Sequence, residues 1–162
     1  MTRALTLAEL DARVAEIRRD TTRRLELVPF EGRYGDWEAL ARRHREMLAV
    51  IEAGRVRLGE LQPPVDRADA YRHYLGELDR QLVLERAVLA AIEAQDFSAY
   101  RDASRTLALA MREIGNAGRR VGLRSARPTG RQRARIWLRL PWTIVRAHRH
   151  ARAERRAGRS WS

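Results

Sequence analysis

The sequence predicts an all-α protein, an antiparallel up-down-up-down four-helix bundle followed by a basic, partly helical C-terminal extension. Three observations predict it. Four segments within the first 123 residues carry apolar side chains at alternating steps of three and four, the period of an amphipathic helix. Breaks bearing proline, glycine or aspartate separate them. The net charge of +12 is gathered at one end. Residues 119–162 hold 14 arginines and one acid, Glu154, whereas the first 118 residues hold 19 arginines and 20 acids. A near-neutral body joined to a strongly basic tail reads as a folded module with an arm for an anionic surface.

The first helix is expected over about 7–28, with Leu7, Leu10, Val14, Ile17, Thr21, Leu25 and Val28 on one stripe. Thr6 and Glu9 stand at capping-box spacing before it, and Pro29 ends it, with Gly32 and Gly35 in the loop beyond. The second helix follows a cap at Asp36, with Trp37, Leu40, His44, Leu48, Ile51, Leu58 and Leu61 on its stripe and Pro63-Pro64 as its stop. Gly54 and Gly59 are expected to weaken it by roughly 1 kcal/mol each. The third is expected to be capped by Asp66, with Tyr71, Leu75, Leu78, Leu82, Leu89 and Ile92 facing inward and Glu93 and Asp96 closing it. The fourth carries Phe97, Tyr100, Ser104, Leu107, Met111, Ile114, Gly118 and Val121, and Gly122 is placed as its C-cap. Gly115 and Gly118 allow close packing or local fraying of this helix. Four helices of ~33–38 Å with short connections favour the up-down order.

The expected division is a bundle over 1–123, a hinge over 124–130 and an arm over 131–162. Pro141 interrupts the arm, so two short helical pieces are expected there rather than one.

Three stretches resemble a family of small actinobacterial four-helix proteins of unknown function, which are usually exported or membrane-tethered. They are Leu5-Thr6-Leu7-Ala8-Glu9 with the run from Ala12 to Ile17, Leu58-Gly59-Glu60-Leu61-Gln62-Pro63-Pro64, and Val121-Gly122-Leu123-Arg124. The resemblance covers about 5–125 and implies a fold, with no activity and no functional residues. Two cysteines typical of the family are replaced here, at Arg18 and around Ser125-Ala126. With no family leader either, the expected location is cytoplasmic, peripheral on the inner face of the cell membrane.

The chain has no cysteine, which excludes disulfides, thiolate catalysis and cysteine metal sites. It opens without the run of about 7–15 apolar residues of a secretory signal, and no segment reaches the roughly 18 apolar residues of a membrane span. All 33 basic residues are arginine. A lysine-free chain rich in Arg, Ala, Leu and Gly reads as GC-rich coding, so no arginine is singled out by its type alone.

Candidate chemistry is sparse. His44 falls on the second stripe and His73 near the third, but neither has a glutamate three residues before it, as a bundle di-metal site requires. His44 is therefore expected to be a satisfied core or boundary histidine. His148 and His150 lie among arginines, which disfavour metal binding. Glu77, Asp79 and Glu85, interspersed with Arg72, Arg80 and Arg86, read as solvated ion-pair faces. Gly115-Asn116-Ala117-Gly118 follows no strand and is no phosphate loop. Trp37, Tyr71, Tyr74, Phe97 and Tyr100 cluster near helix ends, and Trp37, Tyr71, Phe97 and Tyr100, which fall on the core stripes, read as bundle packing. No enzyme activity, metal or cofactor is expected.

The arm is the candidate site. Arg131, Arg133, Arg135, Arg139, Arg146, Arg149 and Arg152 surround Trp137, Trp142 and a short set of aliphatics. Three explanations compete. An anionic phospholipid surface suits tryptophan at headgroup depth with arginines on lipid phosphates. A protein partner, or the chain's own bundle, would take the tryptophans in a groove. Nucleic acid would take the arginines non-specifically, but leaves Ile136, Leu138, Ile144 and Val145 without a task. The lipid surface explains both halves of the composition and is the preferred reading. The protein is then a non-enzymatic scaffold or adaptor.

Overall fold

The computed structural model describes residues 4–29, 32 and 36–124. Within them the chain is all helical: α1 (Leu7–Leu27), α2 (Trp37–Gly59), a one-turn 3-10 helix (Val65–Arg67), α3 (Ala68–Glu93) and α4 (Phe97–Val121), with no strand among the described residues. The hinge beyond Arg124 and the whole arm lie outside the described residues.

Local sequence explains most boundaries. At the head of α1 the Thr6 amide donates to Glu9 Oε2 at 2.7 Å, and the Glu9 amide donates to Thr6 Oγ1 at 3.3 Å. This reciprocal box satisfies two amides that the first turn leaves without carbonyl partners. Asp36 caps α2 by accepting from the Ala39 amide at 2.9 Å. Asp66 does not cap α3. It sits inside the 3-10 turn that follows Pro64, and α3 begins at Ala68 with no side-chain cap. Asp96, expected to close α3, instead opens α4, accepting from the Ala99 amide at 3.0 Å. The α3–α4 turn holds Gln95 at a φ of 53°. At the end of α4, Gly122 adopts a φ of 97°, and the Leu123 amide reaches back to the Gly118 carbonyl at 3.0 Å. That left-handed closure is the usual reason for glycine at this position.

The helices pack against one another in unequal partnerships. α3 and α4 share the most extensive interface, α2 packs on α3, and α1 rests its backbone on α2 while standing off from α3 and α4. Gly54 explains how α1 sits so low on α2, because a Cβ there would fall 2.6 Å from Thr21 Oγ1. The glycine expected only to weaken α2 is a point of close approach.

The core has two parts. In one, Leu10, Val14 and Ile17 of α1 meet Leu58, Tyr71, Tyr74, Ile114, Ala117 and Val121 from the other three helices. The rings of Tyr71 and Tyr74 lie 5.9 Å apart, and the Tyr71 hydroxyl donates to the Leu58 carbonyl at 2.7 Å. In the other, Leu40, Ala41, Val88, Ala91, Ile92, Tyr100 and Leu107 come from α2, α3 and α4 alone. Trp37 closes this end edge-on to Tyr100, with ring centroids 6.4 Å apart. No described helix is long and apolar enough to cross a membrane.

Candidate functional site

Polar side chains are buried between these two apolar clusters. His44 on α2 is 5% exposed and Glu85 on α3 is 3% exposed. His44 Nε2 lies 3.1 Å from the Glu85 backbone oxygen and 3.2 Å from Glu85 Oε2. Both neighbours are acceptors, so Nε2 is placed to donate to Glu85. One turn earlier on α3, buried Gln81 donates from Nε2 to Glu85 Oε1 at 3.4 Å. Each carboxylate oxygen of Glu85 therefore has a side-chain partner, as burial of such a group demands. His44 is the satisfied core histidine its position suggests. Glu85, expected on a solvated face with Glu77 and Asp79, is instead a core residue. His73 is exposed.

Gln81 and Glu85 look onto a cavity of about 200 Å³. It exists because α1 stands off from α3 and α4 while its side chains still bridge across. Apolar groups such as Met47, Ile51, Leu78, Met111 and Ile114 line most of it. Arg18, Thr21 and Arg55 add polar groups. Arg55 is paired with Asp79, its Nη2 donating to Asp79 Oδ2 at 2.8 Å, while its buried Nε has no hydrogen-bond partner among the described residues. Arg18 Nη1 is buried and has no hydrogen-bond partner among the described residues. Burial pushes the Tyr74 hydroxyl pKa above its usual range, an effect the hydrogen-bonded Arg18 guanidinium opposes. Burial likewise raises Tyr71 and Tyr100. These phenols stay neutral near neutrality.

The sequence reading missed Glu85, Gln81 and Tyr74 as interior residues. A usable signal was present. Tyr71, Tyr74, Leu78, Gln81, Glu85, Val88 and Ile92 follow unbroken steps of three and four, and two polar members interrupt an otherwise apolar line.

A second feature lies on the outside. Arg101, Arg105, Leu109, Arg112, Asn116 and Arg119 form one line along α4. All but Asn116 are exposed. Arg101 is paired with Asp102 at 3.1 Å, whereas Arg105 and Arg112 make no ion pair among the described residues. An open surface depression beside this line is bounded by Arg80, Leu109, Arg112 and Arg119.

The residues expected to meet an anionic surface, Arg131, Arg133, Arg135, Trp137, Arg139, Trp142, Arg146, Arg149 and Arg152, all lie outside the described residues. Among the described residues no three His, Asp or Glu side chains converge as a metal site needs. Comparison with protein-family models, with curated proteins and with solved structures returned no match.

Proposed function

We propose that this protein is a non-enzymatic helical scaffold that attaches peripherally to an anionic membrane surface through its basic C-terminal arm. The observation that carries the reading is the charge distribution, 14 arginines against one acid over 119–162 in a chain whose remainder is near neutral. The exposed line of arginines on α4 supports it, because α4 is the helix that leads into the arm. Arginines would meet lipid phosphates while Trp137, Trp142 and the neighbouring aliphatics enter the headgroup zone. The bundle would supply rigidity, in the order up-down-up-down. Cross-links at Asp20–Arg57, Glu52–Arg86 and Arg45–Glu93 and the Leu5–Gln62 backbone bond support that order. A cytoplasmic location and kinship with the actinobacterial four-helix family belong to the same proposal.

The test replaces both Trp137 and Trp142 by alanine in the full chain. Removing two inserted indoles should weaken binding to phosphatidylglycerol vesicles by more than about tenfold, since each buried aromatic is worth roughly 2 kcal/mol. Binding to duplex DNA should change little. Equal losses on both ligands, or an unchanged vesicle affinity, would count against lipid insertion.

A further inference from the structure

The half-open cavity that all four helices line has the makings of a ligand site that membrane attachment leaves unused. Its two polar regions are not equivalent. At one, each oxygen of Glu85 already has a side-chain partner, Oε2 in His44 and Oε1 in Gln81. At the other, Arg18 lines the cavity with Nη1 buried and without an acceptor among the described residues. Tyr74, which Arg18 touches, and Glu85 are eleven residues apart on α3, which is about 16 Å along the helix. The unmet requirement is thus an acceptor for Arg18 Nη1, toward the Tyr74 end of the cavity rather than the Glu85 end. An unpartnered buried donor is costly, and one on a guanidinium is costlier. An acceptor that also brought negative charge would satisfy both needs.

The rest of the space is apolar, shaped by Ile51, Leu78, Met111 and Ile114. At about 200 Å³ it is smaller than the roughly 300–1,000 Å³ of sites for drug-sized molecules. It therefore suits a body of about ten non-hydrogen atoms. We infer that the cavity binds a small apolar monocarboxylate, such as a medium-chain fatty acid, with its carboxylate on Arg18 and its hydrocarbon among the α2, α3 and α4 side chains. Methionines at 47 and 111 supply adaptable walls for a flexible chain. The inference is independent of membrane attachment, since none of these residues belongs to the arm or to the outer line of α4.

Titration calorimetry on the full chain tests it, with octanoate as the probe and octanol and acetate as controls. Octanol keeps the hydrocarbon without the charge. Acetate keeps the charge and reports carboxylate binding by the basic arm. Wild type should bind one octanoate per chain, at least about tenfold more tightly than octanol and far more tightly than acetate. Arg18→Met keeps the apolar stem of the side chain and should weaken octanoate by about tenfold or more while leaving octanol unchanged. Arg18→Gln, which keeps a donor without the charge, is titrated alongside so that a folded comparison remains if the methionine variant fails to fold. Leu78→Trp, which fills the cavity, should abolish binding of both. Octanoate affinity unaffected by the Arg18 variants, octanol binding as tightly as octanoate, or no octanoate binding by wild type would overturn the inference.

Discussion

His44 Nε2 sits between two oxygens of one residue, 3.1 Å from the Glu85 backbone carbonyl and 3.2 Å from its carboxylate, at a level where α2 and α3 exclude water. The pair joins the helices with a directional contact between two non-directional apolar clusters. Breaking such a pair from one side is expensive, whereas replacing both members by apolar groups is often neutral. Glu85→Ala should therefore cost about 3 kcal/mol in urea denaturation, with His44 and Gln81 both losing a partner. The double variant His44→Leu/Glu85→Met should recover most of that loss. A double variant as unstable as Glu85→Ala would mean that the pair contributes net stability.

Thr21 and Gly54 meet where α1 packs on α2. The Thr21 hydroxyl donates to the Ile17 carbonyl at 2.9 Å, so it cannot rotate away freely. Gly54→Ala gains roughly 1 kcal/mol of helix propensity but meets Thr21 Oγ1 at 2.6 Å. The expected net effect is a loss of about 1 kcal/mol. Adding Thr21→Ala should reverse it, giving a coupling of about 1–2 kcal/mol in a double-mutant cycle.

Two further substitutions should act in the stabilising direction for opposite reasons. Gly76 lies within α3 with nothing within 4 Å of a new Cβ, so Gly76→Ala should add about 1 kcal/mol. Gln95 has a φ of 53°, which a residue with a Cβ rarely adopts. Gln95→Gly should add up to about 1 kcal/mol. Thermal denaturation of each checks both.

Asp20 is hydrogen-bonded by Arg57 and paired with Arg24 at 3.2 Å. The bond from Arg57 holds its pKa below the ordinary 3.8. A group whose folded pKa is depressed contributes stability above its unfolded pKa and loses it as pH falls through the folded value. Asp20→Asn should therefore lower the Tm at pH 7, and the gap from wild type should close as pH falls below 3.8. The gap should also shrink in high salt, because the pair is partly exposed.

Much of the fold was legible because apolar periodicity and cap chemistry act locally. Leu10, Val14 and Ile17 on α1, and Tyr100, Leu107, Ile114 and Val121 on α4, are buried where their spacing puts them. Thr6, Asp36 and Gly122 end their helices as their types suggest. On α3 the inward line runs through Tyr74, Gln81, Glu85 and Val88 rather than through Leu75 and Leu89, which are only half-buried. Glu85 escaped because a carboxylate is normally counted as outward-facing, and its burial is tolerable through Gln81 one turn away and His44 on another helix. The cavity escaped for a related reason. It depends on how far α1 stands from α3 and α4, a tertiary distance that no local pattern encodes. Asp66 was misplaced because Pro64 starts a 3-10 turn that delays the true start of α3.

The central claim is that the arm attaches the bundle to an anionic surface. The most direct measurement is flotation of the full chain, and of a chain ending at Ala126, with neutral and with phosphatidylglycerol-containing vesicles at moderate salt. The account predicts that only the full chain floats, and only with the anionic vesicles. Flotation of the shortened chain to the same extent, or no flotation of the full chain, would contradict it.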